Sequence, residues 1–213
     1  MTEESVSFKA GALILEGRFA RPPSEGAVPG AVVCHPHPLY GGSMDNNVVA
    51  AILNALWAMS FATLRFNFRG VGHSEGSHGD GTAEIEDVAA AVRFLGAQPG
   101  VRRDGVVLAG YSFGARVALN AAPGIAEVAS VIAVALPVSM REPPSMAGWD
   151  KPLVLVAGDR DSFCNVRDIE AFRAQVTPHP VLKLIMGADH FFAGFESELS
   201  EQIGQVMRGA SSV

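Results

Sequence analysis

Short apolar runs rich in β-branched residues alternate along this chain with longer stretches in which apolar residues recur every three or four positions. The runs predict strands at Val6–Phe8, Leu13–Phe19, Ala31–Cys34, Ala62–Phe66, Val106–Ala109, Val131–Ala135, Leu153–Ala157 and Val181–Ile185. Val49, Ile52, Leu53 and Leu56 fall at helical spacing behind Asp45 to Asn47, which are candidate caps. Ile85, Val88, Ala89 and Val92 mark a second helix. Its first turn carries Glu84, Glu86 and Asp87, where the helix dipole favours negative charge. Further helices run from about Phe113 to Ala122, through Ile169 and Phe172, and through Leu199, Ile203 and Val206. Gly11 separates the first two strands, which reads as a hairpin, and a Pro/Gly-rich turn spans Arg21–Gly30. Strands of unbroken apolar residues alternating with helices imply an α/β fold, a mostly parallel sheet with helices on both faces. In such sheets ligands bind beyond the carboxyl ends of the strands, so the chemistry belongs in the loops just after each strand.

Composition narrows the class. A length of 213 residues fits one domain, 1–213, with a large core. An apolar fraction of 48% with only 18% charged residues excludes disorder and a coiled coil. The net charge is −6 and the basic residues are scattered, so no face suited to nucleic acid can be read. The start, Met1–Ser5, is acidic and lacks the apolar core of a secretion signal. No apolar run approaches the ~18 residues of a membrane span. A cytoplasmic protein without membrane contact is expected. Cys34 and Cys164 then read as reduced thiols rather than a disulfide framework.

After the fifth strand stands Gly110-Tyr111-Ser112-Phe113-Gly114, a G-x-S-x-G between strand and helix. Small residues two positions either side allow a turn tight enough to expose a serine hydroxyl at a helix N-terminus. Ser112 is therefore the candidate nucleophile, and it needs a base oriented by a carboxylate. Of the histidines, His190 alone follows the chain order Ser…Asp…His and sits just past a strand end. The loop Gly158-Asp159-Arg160-Asp161-Ser162-Phe163 offers two acids. Asp159, beside the strand, suits a turn-forming hydrogen bond. Asp161 is far enough out to reach the base and is favoured. Asp189 would diverge from its neighbour His190 and reads as a solvated loop residue.

Acyl transfer also needs two N–H donors for the oxyanion. Phe113 supplies one. The second comes from His35-Pro36-His37-Pro38-Leu39-Tyr40-Gly41-Gly42-Ser43, where the two prolines have no N–H. Leu39 or Tyr40 is favoured over His37. His35 and His37 also form H-x-H, a metal-ligand spacing, but a catalytic zinc needs a third ligand that this loop lacks. No metal and no cofactor is expected, and these histidines read as shaping the loop.

With these residues in place the chain resembles the α/β-hydrolase superfamily, and more narrowly the small, capless bacterial serine hydrolases related to dienelactone hydrolase. The likeness runs from about Gly11 to Met207. It is carried by the segment from His35 through Ser43 to Met44-Asp45-Asn46-Asn47, by Leu64-Arg65-Phe66-Asn67-Phe68-Arg69-Gly70-Val71-Gly72-His73-Ser74-Glu75-Gly76, by the serine turn and by Asp189-His190-Phe191-Phe192. The resemblance implies an eight-stranded sheet with only the second strand antiparallel and the third and seventh strands apart. Cys34 and Cys164 would follow those two strands and stay unpaired. It implies Ser112 as nucleophile, His190 as base and Asp161 as acid, the last from a Gly-x-x-Asp pattern. His73 stands where relatives often carry Arg, so a charge-based role of that loop does not carry over. The group supplies no natural substrate.

Only Leu136 to Lys151 separates the sixth and seventh strands, and Pro137, Pro143, Pro144 and Gly148 leave little room for a lid. Met140, Met146 and Trp149 either rim the site or pack over the sheet. Tyr40, Phe163, Phe191 and Phe192 are the candidate substrate-binding residues. The expected activity is hydrolysis of carboxylic esters of small, soluble acyl substrates. Thioesters, lactones and amides suit the same triad, and a non-catalytic binding protein on the same scaffold is the alternative of a different class. Oligomeric state is open, with a homodimer allowed.

Overall fold

The computed structural model describes residues 1–140 and 142–210. Its strands in chain order are β1 (Glu4–Ala10), β2 (Leu13–Ala20), β3 (Gly30–Cys34), β4 (Ala62–Phe66), β5 (Val106–Tyr111), β6 (Val128–Val134), β7 (Leu153–Gly158) and β8 (Val181–Ile185). The helices are α1 (Asn47–Ala58), α2 (Glu84–Gly96), α3 (Phe113–Ala121), α4 (Val166–Gln175) and α5 (Glu196–Ala210). The strands form one sheet in the order β1-β2-β4-β3-β5-β6-β7-β8. β2 runs antiparallel to both β1 and β4, and every other neighbouring pair is parallel.

The apolar runs have a direct cause. β3, β5 and β7 are buried at every residue. Val32, Leu108 and Leu155 face one core, which α2, α3 and α4 cover. Their neighbours Val33, Ala109 and Val156 face the other, under α1 and α5. Burial on both faces removes the alternation that a half-exposed strand would show. At the sheet edge β8 is only partly buried. The hairpin turns at Gly11, whose φ of 60° suits a residue without a β-carbon.

Some boundaries differ from the sequence expectation. β6 starts at Val128 rather than Val131, because Ser130 interrupts the apolar run yet pairs with Val107 in the sheet. It ends at Val134, since Ala135 leaves the strand at φ 48°. Pro38–Tyr40 forms a short 3-10 turn that the pattern did not announce. α1 is capped by Asn46, whose side chain accepts the Val48 N–H at 2.9 Å.

Two segments fix the surroundings of the strand ends. After β4, the Arg69 backbone and guanidinium both bond to the buried Asp87, and Glu84 accepts the N–H groups of Gly79 and Gly81. Residues 69–81 are thereby pinned to α2, while His73 itself is exposed. Between β6 and β7 no helix occurs among the described residues. Met146 and Trp149 pack into the α2–α4 core, and Met140 stays at the surface, 58% exposed. Cys34 and Cys164 are unpaired, and burial pushes both thiols far above the usual range. No described helix is long and apolar enough to cross a membrane.

Candidate active site

The sharp turn from β5 into α3 depends on two close approaches. A β-carbon on Gly110 would overlap the Gly114 carbonyl, and one on Gly114 would overlap the carbonyls of Cys34 and His35. With both glycines in place, Ser112 is held at φ 53°, ψ −114°, between strand and helix. Its N–H donates to Val134 O at 2.9 Å, and its carbonyl accepts the Arg116 N–H at 3.1 Å, the first bond of α3. Such backbone strain in a non-glycine costs on the order of 1–3 kcal/mol and persists only where its surroundings over-determine it. The hydroxyl is left projecting beyond the sheet.

His190 lies in the loop after β8. Its Nε2 is 2.9 Å from Ser112 Oγ, and its Nδ1 is 2.8 Å from Asp161 Oδ2. The other oxygen of Asp161 accepts the N–H groups of Phe163 and Cys164 at 2.8 and 2.9 Å. A carboxylate can only accept, so the imidazole proton belongs on Nδ1, which leaves Nε2 bare toward the serine. The ring can take the Ser112 proton as the oxygen attacks a carbonyl.

The structure brings Asp161, not Asp159, to His190. Asp159 instead accepts the Gly187 N–H and ties the loops after β7 and β8 together. Asp189 is exposed and accepts the Phe191 N–H at 2.9 Å. Two supports were not read from the sequence. The buried Tyr111 hydroxyl donates to the His190 carbonyl at 2.9 Å. Burial, with the charges of Asp161 and Asp189, pushes that phenol upward, so it remains a donor. Its signal was a polar-tipped ring ending an otherwise apolar strand. Asn47 donates to Phe191 O at 3.3 Å and to Glu196, which joins α1 to the histidine loop.

The family comparison fits this geometry. A model described as an alpha/beta hydrolase domain matches residues 32–212. The chain belongs to the α/β-hydrolase domain family. It is similar to an alpha-beta serine hydrolase homologue of Coxiella burnetii, with 35% identity, a TM-score of 0.88 and coverage of 97% of this chain and 98% of the other. A serine hydrolase without lid from Xanthomonas campestris matches at 29% identity and TM-score 0.83, covering 98% and 94%. An uncharacterized protein of Rickettsia prowazekii is 33% identical over 201 residues, 91% of this chain and 84% of that protein.

In this α/β hydrolase the loop after β3 is built around His35. Its ring is fully buried. Nδ1 lies 2.6 Å from Pro36 O, and Nε2 accepts the Phe68 N–H at 3.0 Å. Only the neutral ring with its proton on Nδ1 satisfies both bonds, so a metal at H-x-H would have to break one. The ring packs on Phe68 at 4.8 Å, Phe68 on Phe113 at 5.7 Å, and Phe113 on His37 at 4.6 Å, so the loop is keyed to the residue after Ser112.

Burial holds His35 down at about 4, with His37 pushing the same way and the Pro36 carbonyl opposing. Between pH 6.5 and 4 the unfolded chain therefore binds a proton that the native protein refuses. The stability that His35 contributes above pH 6.5 is lost as pH falls through about 4, by roughly 3 kcal/mol. Urea unfolding at pH 7 and pH 4.5 is expected to show a smaller loss in His35→Asn than in the wild type. Equal losses would contradict this role.

The remaining amides of the loop are turned inward. Leu39 N–H donates to His37 Nδ1 at 3.2 Å, and Tyr40 N–H donates to His37 O at 3.1 Å. The expectation that either supplies an oxyanion donor meets a 3-10 turn that consumes both. The side chains of Leu39 and Tyr40 point outward, Tyr40 being 85% exposed. On the far side, Phe163 is half-buried and Phe191 is 59% exposed. Phe192 corrects the expectation that it contacts substrate. Its φ of 52° turns the chain just past His190, and its fully buried ring sits in the α1–α5 core.

Proposed function

We propose that this α/β hydrolase cleaves carboxylic esters of small, soluble substrates through an acyl-enzyme on Ser112. The observation that carries the reading is the unbroken chain from Ser112 Oγ through His190 to Asp161, set on a strained turn. Family membership and the likeness to serine hydrolases support the hydrolase class.

Ser112 Oγ attacks the acyl carbonyl while His190 Nε2 takes its proton. Asp161 holds the imidazole in the productive tautomer and stabilises the charge that forms on it. The tetrahedral oxyanion is held by the Phe113 N–H, the first amide of α3, which has no acceptor within the helix. Pro36 and Pro38 have no N–H, and those of Leu39 and Tyr40 are committed within the turn. His190 returns its proton to the leaving alcohol, and water repeats the cycle on the acyl-enzyme.

The absence of a helix between β6 and β7 among the described residues leaves no wall for a long acyl chain. A nitrophenyl-ester series tests the reading. A burst of nitrophenol stoichiometric with enzyme is expected, with kcat/KM highest for acetate to butyrate. Highest turnover on dodecanoate, or no turnover of any ester, would overturn it.

A further inference from the structure

We infer that Phe163 and Phe191 form the subsite for the leaving alcohol, and that it selects esters of apolar, ring-bearing alcohols over polar ones. The inference rests on the triad reading above.

In acylation the Ser112–carbonyl bond forms and the bond from the carbonyl carbon to the alcohol oxygen breaks. The Ser112 proton, carried by His190 Nε2, passes to that oxygen. The departing oxygen must lie within hydrogen-bond reach of Nε2, so its substituent lies against whatever surrounds the His190 ring. Of the three aromatic rings against it, Tyr111 at 5.5 Å is buried, and the two phenyl rings are not. The Phe163 centroid is 4.8 Å from that of His190 at 52°, and the Phe191 centroid is 5.7 Å away at 87°. On the oxyanion side stands a separate set, His37 with Phe113 and with Tyr40 at 5.7 Å. The alcohol meets the phenylalanines.

Both phenylalanines are carried on a fixed backbone. The Phe163 N–H is bound to Asp161, the acid of the triad. Phe191 is bound at both ends, its N–H to Asp189 and its carbonyl to Asn47. Phe191, 59% exposed to water and beside the base, loses its apolar hydration when a hydrocarbon group covers it. A polar alcohol gives no such gain and gives up its own hydration there. Aromatic pairing in offset or edge geometry further favours a ring on the alcohol.

The test uses two acetates, benzyl and 2-methoxyethyl, whose alcohols are of similar acidity. Both pass through the same acetyl-enzyme, so the ratio of kcat/KM reports the alcohol alone. The wild type is expected to prefer the benzyl ester by about tenfold, and Phe191→Ala to reduce that ratio below about threefold. Phe163→Leu, which keeps an apolar side chain, is expected to lower the ratio to an intermediate value. An active wild type with no preference, or a ratio unchanged in both variants, overturns the subsite and leaves the triad reading standing. A wild type that turns over neither acetate, or Ser112→Ala that turns over both, overturns the triad reading and the subsite with it.

Discussion

Ser112→Ala is expected to lower kcat/KM for a nitrophenyl ester by about five orders of magnitude while leaving the protein folded. The loss follows from removing the hydroxyl oxygen that His190 Nε2 reaches at 2.9 Å. Fold survives because the turn is held by other groups: the Ser112 backbone bonds to Val134 and Arg116, and the two flanking glycines make the close approaches. A second variant separates strain from chemistry. Ser112→Gly removes the same hydroxyl and relieves a backbone at φ 53°, ψ −114°. Relief is worth on the order of 1–3 kcal/mol, against about 1 kcal/mol of extra chain entropy for glycine in the unfolded state. Ser112→Gly is therefore expected to melt no lower than Ser112→Ala, both being inactive. A glycine variant melting well below the alanine one would show that the turn is not strained.

Asp161→Asn is expected to reduce kcat by about 10⁴-fold with little change in stability. The introduced carboxamide can keep the two backbone bonds from Phe163 and Cys164 through its oxygen, which turns its NH₂ toward His190 Nδ1. An NH₂ there favours the imidazole with its proton on Nε2, and that nitrogen can no longer accept the serine proton. Asp159→Asn is the control. Asp159 bonds the Gly187 N–H and not the base, so less than about a tenfold loss is expected. Similar losses in the two variants, measured by steady-state ester hydrolysis, would contradict the distinct roles given to the two acids.

The sheet was readable where burial is complete. β3, β5 and β7 have no exposed residue, and their apolar runs stand out accordingly. β6 lost its first turns of pattern to Ser130, a polar residue whose backbone still pairs. The nearness of Ser112, Asp161 and His190 was readable because each follows a strand of a parallel sheet, and such sheets gather their carboxyl-end loops in one place. What could not be read depends on local dihedral angles or distant contacts. The Pro38–Tyr40 turn consumes the amides of Leu39 and Tyr40, and nothing in the residue types announces that geometry. Phe191 and Phe192 look equivalent in sequence. A left-handed residue sends one ring over the base and the other into the core. His35 gains its role from Phe68, 33 residues away, through a buried hydrogen bond.

Ser112 is the proposed nucleophile. Its most direct test is labelling with a fluorophosphonate, which captures an activated serine, followed by mass spectrometry of the peptides. A single adduct on Ser112, formed in step with loss of ester hydrolysis, is expected. Complete inactivation with the adduct on another residue, or full activity with Ser112 stoichiometrically modified, would contradict it.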